Sequence, residues 1–127
     1  MLSNLLTLHS ETDMEKVRDI IIYKNHFLDF YNDQSEKVQS KIDYVLKIVA
    51  TQQRVPLKFL RAIESEKGLF EVRIEMDSNI YRIFCCFDNG NLVVLFNGFQ
   101  KKSQKTPKDE IARAVRIMNE YFNDKNK

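Results

Sequence analysis

Arginine and lysine side chains carry the clearest chemical signal in this sequence. Arg73 and Arg82 each lie in a run of alternating apolar and polar residues, and residues 97–108 hold four lysines and no acid. Arginine forks match phosphate geometry, and fixed cations stabilise negative charge as it develops. These residues predict a phosphate site that could cleave RNA by attack of the ribose 2′-hydroxyl on the adjacent phosphate, with no metal required. A solvated lysine loop is the alternative interpretation.

Charge and composition narrow the class of protein. The 127 residues carry a net charge of only +2, but residues 1–50 have eight acids against six bases, and residues 51–127 have fourteen bases against ten acids. A local basic stripe on a nearly neutral chain favours a specific phosphate contact over general coating of nucleic acid. We expect one soluble cytoplasmic domain, because the sequence shows neither a membrane span nor a leader segment.

Other common kinds of site are not indicated. The sequence contains no phosphate-binding glycine loop, no HExxH and no CxxC, and its two histidines are His9 and His26. We expect no metal and no cofactor, because the sequence offers no plausible ligand set. Cys85 and Cys86 fall inside a predicted strand and are expected to be small core residues.

Hydrophobic spacing predicts the elements that position the basic residues. A β-branched run predicts a strand over 18–23, and helices are expected to begin at caps Asn25 and Ser35. A basic connection over 57–68 leads into the remaining elements. These are strands over 69–76, 80–87 and 92–98, and a final helix with Thr106 as N-cap and Pro107 in the first helical position. The predicted fold is α+β: N-terminal strand, helical hairpin, three-stranded antiparallel meander and C-terminal helix.

Matching the apolar faces of neighbouring strands predicts the register. Glu75 is expected opposite Arg82, and the Asn-Gly turn is expected to pair Asp88 with Asn91, which puts Asn97 opposite Arg82. The strand over 92–98 is apolar on both faces, so it is expected to be central and covered on both sides. In this register, a cross-strand ion pair between Glu75 and Arg82 is the structural alternative to a phosphate site.

Three runs of sequence resemble a known family. They are GLFEVRI at 68–74, IYRIF at 80–84 and LFNGFQKKSQKTP at 95–107. Together they resemble the RelE/ParE toxin superfamily, and more narrowly its HigB-like, phage-derived branch. The resemblance covers about residues 18–122, which leaves 1–17 as an N-terminal extension and 123–127 as a polar tail.

The resemblance implies the toxin of a type II toxin–antitoxin module, expected to be a ribosome-dependent mRNA endonuclease. Its implied partners are mRNA, the ribosome and a cognate antitoxin of the helix-turn-helix type. Some nuclease members carry a basic residue where this chain has Glu71, so the chain departs from their pattern here. Glu71 shares a strand face with Arg73 and is a candidate general base. The candidate catalytic residues are Arg73, Arg82, Lys102 and Glu71, with Lys101 as the alternative match to Lys102, and the candidate RNA-binding residues are Lys58, Arg61, Lys67, Lys101 and Lys105. Two alternatives stay open, a ParE-like inhibitor of DNA gyrase and a non-toxic, antitoxin-binding relic.

Overall fold

The computed structural model describes residues 15–101 and 107–127, where the chain forms a sheet covered by helices on both faces. Its elements are β1 (Asp19–Ile22), α1 (His26–Asn32), α2 (Glu36–Thr51), β2 (Leu60–Ala62), β3 (Phe70–Met76), β4 (Asn79–Asp88), β5 (Leu92–Lys101) and α3 (Lys108–Lys125). The strand order is β1-β5-β4-β3-β2, with β1 parallel to β5 and the other neighbours antiparallel. The predicted α+β class is confirmed, and β5 is an interior strand with a neighbour on each side and helices over both faces.

The helical hairpin of α1 and α2 covers one face of the sheet. Ser35 caps α2, because its hydroxyl oxygen accepts a hydrogen bond from the Val38 N–H at 3.2 Å. The predicted apolar stripe of α2 is buried against the sheet; its residues are Val38, Ile42, Val45 and Val49. Asn25 occupies the N-cap position of α1, but its side chain makes no capping hydrogen bond.

Helix α3 covers the opposite face. Ala114 and Ile117 are buried against a second apolar cluster that includes Phe84 and Phe96. Pro107 is the N-cap of α3 rather than its first helical residue, and the predicted cap Thr106 lies outside the described residues. α3 extends through Lys125; the division into an extension, a domain and a tail stays a prediction.

The basic connection over 57–68 contains a strand that we did not predict. β2 pairs antiparallel with β3 at the edge of the sheet, with Leu60 opposite Val72 and Arg61 opposite Glu71. The Arg73 N–H extends the pairing, because it donates to the Phe59 carbonyl at 2.8 Å. Three residues are too few to show the alternation by which a sequence signals a strand.

The turn between β3 and β4 is tighter than predicted. Met76 pairs with Asn79, so that residues 77–78 alone turn the chain, with φ angles of 51° and 69°. Two consecutive residues with positive φ angles form a tight turn whose twist matches that of the paired strands. The predicted pairing of Glu75 with Arg82 is therefore wrong by two residues. The side chains keep their predicted faces, because alternation in a strand has a period of two.

The hairpin between β4 and β5 closes with a longer loop than predicted. Asp88 pairs with Leu92 and not with Asn91 as predicted, so residues 89–91 form the loop. A slip of one residue moves every side chain of a strand to the opposite face. Val93 and Leu95 therefore lie on the face that packs against the helical hairpin, and not on the face of Arg82 as the predicted register requires.

A polar cluster fastens the C-terminal end of α3 to the sheet. Asp88, at the end of β4, accepts hydrogen bonds from the Tyr121 hydroxyl and the Lys125 ammonium, each at 2.7 Å. The hydrogen bond from Lys125 and then the one from Tyr121 hold the pKa of the Asp88 carboxyl below its ordinary value. Folding therefore favours the ionised form of this carboxyl.

Acid should weaken the attachment of α3. A carboxyl with a lowered folded-state pKa stabilises the protein above its unfolded pKa, and this contribution is lost as pH falls through the folded pKa. We expect the free energy of unfolding to fall below about pH 4, and to fall less steeply in Asp88→Asn. Urea titrations at several pH values measure this. The control Asp77→Asn, whose carboxylate pairs with Lys37 on the surface, should keep the wild-type acid dependence. Equal acid slopes for Asp88→Asn and wild type would contradict the prediction.

Candidate functional site

A β-bulge in β5 determines which face its last residues occupy. Cys85 pairs with Leu95, but Ile83 pairs with Gly98, so β5 has one more residue than β4 across this interval. Gly98 lies against the Phe30 ring, and a Cβ on this residue would be 2.5 Å from Phe30 Cδ2. The close approach of the ring requires glycine, and bulges of this kind redirect the side chains that follow them.

Beyond the bulge, odd-numbered residues of β5 share the face covered by α3. Phe99 lies opposite Arg82 and packs in the cluster under α3, and Lys101 lies opposite Ile80. The predicted pairing of Arg82 with Asn97 is wrong, because the longer loop and the bulge together move Phe99 into that position. The bulge thus brings Lys101 to the sheet face that carries Arg82.

Arg73 and Arg82 lie directly opposite each other across β3 and β4. Like charges in this arrangement repel, so each guanidinium needs a carboxylate. Arg82 forms an ion pair with Glu71, in which both side chains are buried, and Arg73 contacts Glu75 at 2.9 Å near the surface. The expected pair between Glu75 and Arg82 is replaced by these two.

Three buried polar atoms at this end of the sheet have no hydrogen-bond partner within the described part of the chain. They are Nε of Arg73, Nε of Arg82 and Oδ1 of Asn97. Asn97 Nδ2 points towards the backbone and side-chain oxygens of Glu110, at 3.5 Å from each. Leaving such groups unpaired costs free energy, and two free guanidinium donors on one face are a setting that an anion would satisfy.

The local field of this cluster is strongly positive. Burial and then the charges of Arg82, Arg73 and Arg61 lower the pKa of the Lys101 ammonium. Burial and then the charge of Arg61 also lower the pKa of Arg82. Arg61 shares the face because it is opposite Glu71 on β2. Four cations from four strands therefore act on one another at this site.

The structure brings together five of the nine residues predicted for the site; they are Arg61, Glu71, Arg73, Arg82 and Lys101. Lys58 precedes β2 in the sequence and Lys67 follows it, and both side chains are exposed. Within the described residues, neither forms a hydrogen bond with the cluster. Lys102 and Lys105 lie outside the described residues. The catalytic and RNA-binding roles of all nine stay predictions.

Asn97 was predicted to lie opposite Arg82 but was not among the nine residues predicted for the site. Asn97 is 1% exposed, and its side-chain oxygen has no hydrogen-bond partner among the residues that the structure describes, a position that becomes apparent only when the bulge is known. The one available signal is Gly98, since an isolated glycine inside a strand pattern often marks a bulge.

Other chemistry finds little support in the described residues. They contain no group of three or more His, Cys, Asp or Glu side chains that could hold a metal ion. Both cysteines are buried, and burial raises the pKa of Cys86 to about 12, which leaves the thiol unreactive at neutral pH. No helix in 15–101 or 107–127 has the length and hydropathy of a membrane span.

A sheet covered by a helical hairpin on one face and a C-terminal helix on the other, with a basic cluster at one end, is consistent with the RelE-like fold. Residues 29–119 match the model of the family described as Phage derived protein Gp49-like (DUF891), and the chain belongs to this family. The family is associated with toxins of type II toxin–antitoxin systems, which implies an antitoxin partner. A search of the curated proteins found no match.

Proposed function

We propose that this chain is a HigB-like toxin of the RelE/ParE superfamily that cuts mRNA on the ribosome. The observation that carries the proposal is the pair of opposed guanidiniums, Arg73 and Arg82, each with a buried Nε–H donor that has no partner among residues 15–101 and 107–127. Family membership supports the toxin role, and this cluster supports phosphate as the group that the toxin binds.

The proposed reaction uses the RNA's own nucleophile. The ribose 2′-oxygen attacks the adjacent phosphorus, the bond to the 5′-oxygen breaks, and the products carry a 2′,3′-cyclic phosphate and a 5′-hydroxyl. Arg73 and Arg82 would hold the scissile phosphate and stabilise the extra negative charge of the transition state. Lys102 would add a further cation to the same phosphate.

Glu71 enters this proposal as the residue that holds Arg82. Its carboxylate is buried in the ion pair, which fixes the guanidinium on a rigid strand before RNA arrives. Its role as general base stays a prediction.

The remaining basic residues would serve RNA binding. Lys58 and Lys67 are exposed in the connection that contains β2, and Arg61 of β2 acts on the charge of Arg82, a layout suited to contacts with RNA phosphates. Lys101 and Lys105 would extend the contact along the message. A toxin that cuts mRNA on translating ribosomes would act in the cytoplasm. A cognate helix-turn-helix antitoxin would neutralise it there.

Primer extension on a reporter mRNA tests the proposal. Purified full-length protein is added to the message in a reconstituted translation system and, in parallel, to the message without ribosomes. We expect cuts at defined positions only when ribosomes are translating, and the antitoxin should suppress them. Reactions without the protein are the control for background nuclease.

The other outcomes would point to the alternative functions. Intact mRNA together with inhibition of DNA supercoiling would replace this proposal with a gyrase inhibitor. Intact mRNA with no effect on translation or supercoiling, and retained antitoxin binding, would indicate a non-toxic relic.

A further inference from the structure

A buried carboxylate already occupies the guanidinium that the proposed reaction requires. The Oε2 atom of Glu71 accepts a hydrogen bond from Nη1 of Arg82, and the Glu71 side chain is only 2% exposed. Glu71 also lies opposite Arg61 of β2. Carboxylate and phosphate are both oxyanions, and they bind the same guanidinium donors. A phosphate that reaches Arg82 therefore meets an anion that is already bound there.

We infer that Glu71 limits the affinity of this site for RNA phosphates, so that RNA is held firmly only when the ribosome presents it, an inference that rests on the proposed mRNA cleavage. The carboxylate acts in two ways. Its charge repels an incoming phosphate, and its oxygen engages a donor that the phosphate would otherwise take. Water screens this repulsion only weakly, because both members of the ion pair are buried.

The strand pairing keeps the carboxylate in place. Glu71 of β3 lies opposite Phe84 of β4, and Arg82 precedes Phe84 by two residues and so lies on the same face. The two charged side chains are thus diagonal neighbours on directly paired strands. Nε of Arg82 has no hydrogen-bond partner in the described part of the chain and remains available to phosphate. RNA can therefore bind beside the ion pair, but with reduced affinity.

The second ion pair of the site lacks this effect. Glu75 contacts Arg73 at 2.9 Å, but the Glu75 side chain is 63% exposed. A phosphate can displace such a carboxylate into water at little cost, since exposed ion pairs contribute little free energy. Burial therefore distinguishes Glu71 as the residue that determines how strongly the site discriminates against free RNA.

Binding of a free RNA measures this role directly. The probe is a short, fluorescently labelled single strand with 2′-O-methyl riboses, which lacks the nucleophile and cannot be cut. In Glu71→Gln the amide oxygen can still accept from Arg82, but the negative charge is gone. We expect the dissociation constant for this RNA to fall by about tenfold. The slope of log affinity against log salt should steepen by about 0.7, as one further phosphate contact requires.

A matched control separates this local effect from a change in net charge. Glu36→Gln makes the same substitution at an exposed position in the first turn of α2, which covers the opposite face of the sheet. This variant should bind the probe with the wild-type affinity and salt slope. Circular dichroism of both variants confirms that they are folded.

Two results would overturn the inference. One is an unchanged dissociation constant and salt slope in folded Glu71→Gln. The other needs no variant: wild-type protein should bind the free probe no more tightly than about 1 μM at physiological salt, and a clearly tighter wild-type affinity would show that Glu71 does not restrain binding. If neither protein cuts mRNA on ribosomes but Glu71→Gln still binds the probe more tightly, the proposed nuclease function is wrong and the restraint by Glu71 stands.

Discussion

Arg82→Lys and Arg73→Lys are each expected to reduce ribosome-dependent mRNA cleavage by about 100- to 1000-fold while the protein stays folded. Lysine keeps the positive charge but replaces a planar fork by a single ammonium. In Arg82→Lys the ammonium can still pair with Glu71, so the buried carboxylate keeps a cation. What is lost is the Nε–H donor, which no group in the described part of the chain uses in the wild type.

Initial cleavage rates on one reporter mRNA measure this effect, with circular dichroism and antitoxin binding as checks on folding. Arg116→Lys, on the exposed surface of α3, is the matched control and should cut at the wild-type rate. Wild-type cleavage by both Arg73→Lys and Arg82→Lys would mean that charge alone is sufficient and that the fork geometry is not used.

Removing Glu71 should have the largest effect on stability. Glu71→Ala leaves the Arg82 guanidinium buried without its counter-charge, and we expect a loss of about 3–5 kcal/mol in the free energy of unfolding. The cost arises from the unpaired charge rather than from the loss of a favourable bond. The double variant Glu71→Leu, Arg82→Met removes both charges and should therefore recover most of that loss.

Urea denaturation of the single and double variants measures these differences. Glu75→Ala is a close control, because Glu75 lies two residues further on the same face of β3 and also pairs with an arginine, but its side chain is 63% exposed. We expect this change to cost less than about 1 kcal/mol. Equal losses for Glu71→Ala and Glu75→Ala would show that burial of the first pair does not determine its energy.

The sequence predicted most of the elements, because each has an unambiguous local signal. The three isoleucines at 20–22 predicted β1, the four-residue spacing from Val38 predicted α2, and the Asn-Gly pair predicted a turn between β4 and β5. β2 was missed because three residues provide no period. The length of the loop between β4 and β5 was missed because the same turn residues are compatible with two- and three-residue loops.

The sequence indicates which residues form the site, but it does not determine how they are paired. Arg73 and Arg82 stand out from their strand positions, whereas the pairing of Arg82 with Glu71 rather than Glu75 depends on a register that differs by two residues. Both registers put the same side chains on the same face, so hydrophobic patterning cannot distinguish them. The turn backbone at 77–78 makes the difference.

Because of the bulge, the number of residues in β5 determines which face of the sheet carries Lys101. If a related chain lacked one residue between 92 and 101 and kept every basic side chain, its counterpart of Lys101 would point towards the helical hairpin, away from the arginines. Such a deletion would disable the site although a sequence alignment would show no substitution of a basic residue. Among relatives of this protein, the number of residues in this strand should therefore distinguish active from inactive members as well as the identity of the basic residues does.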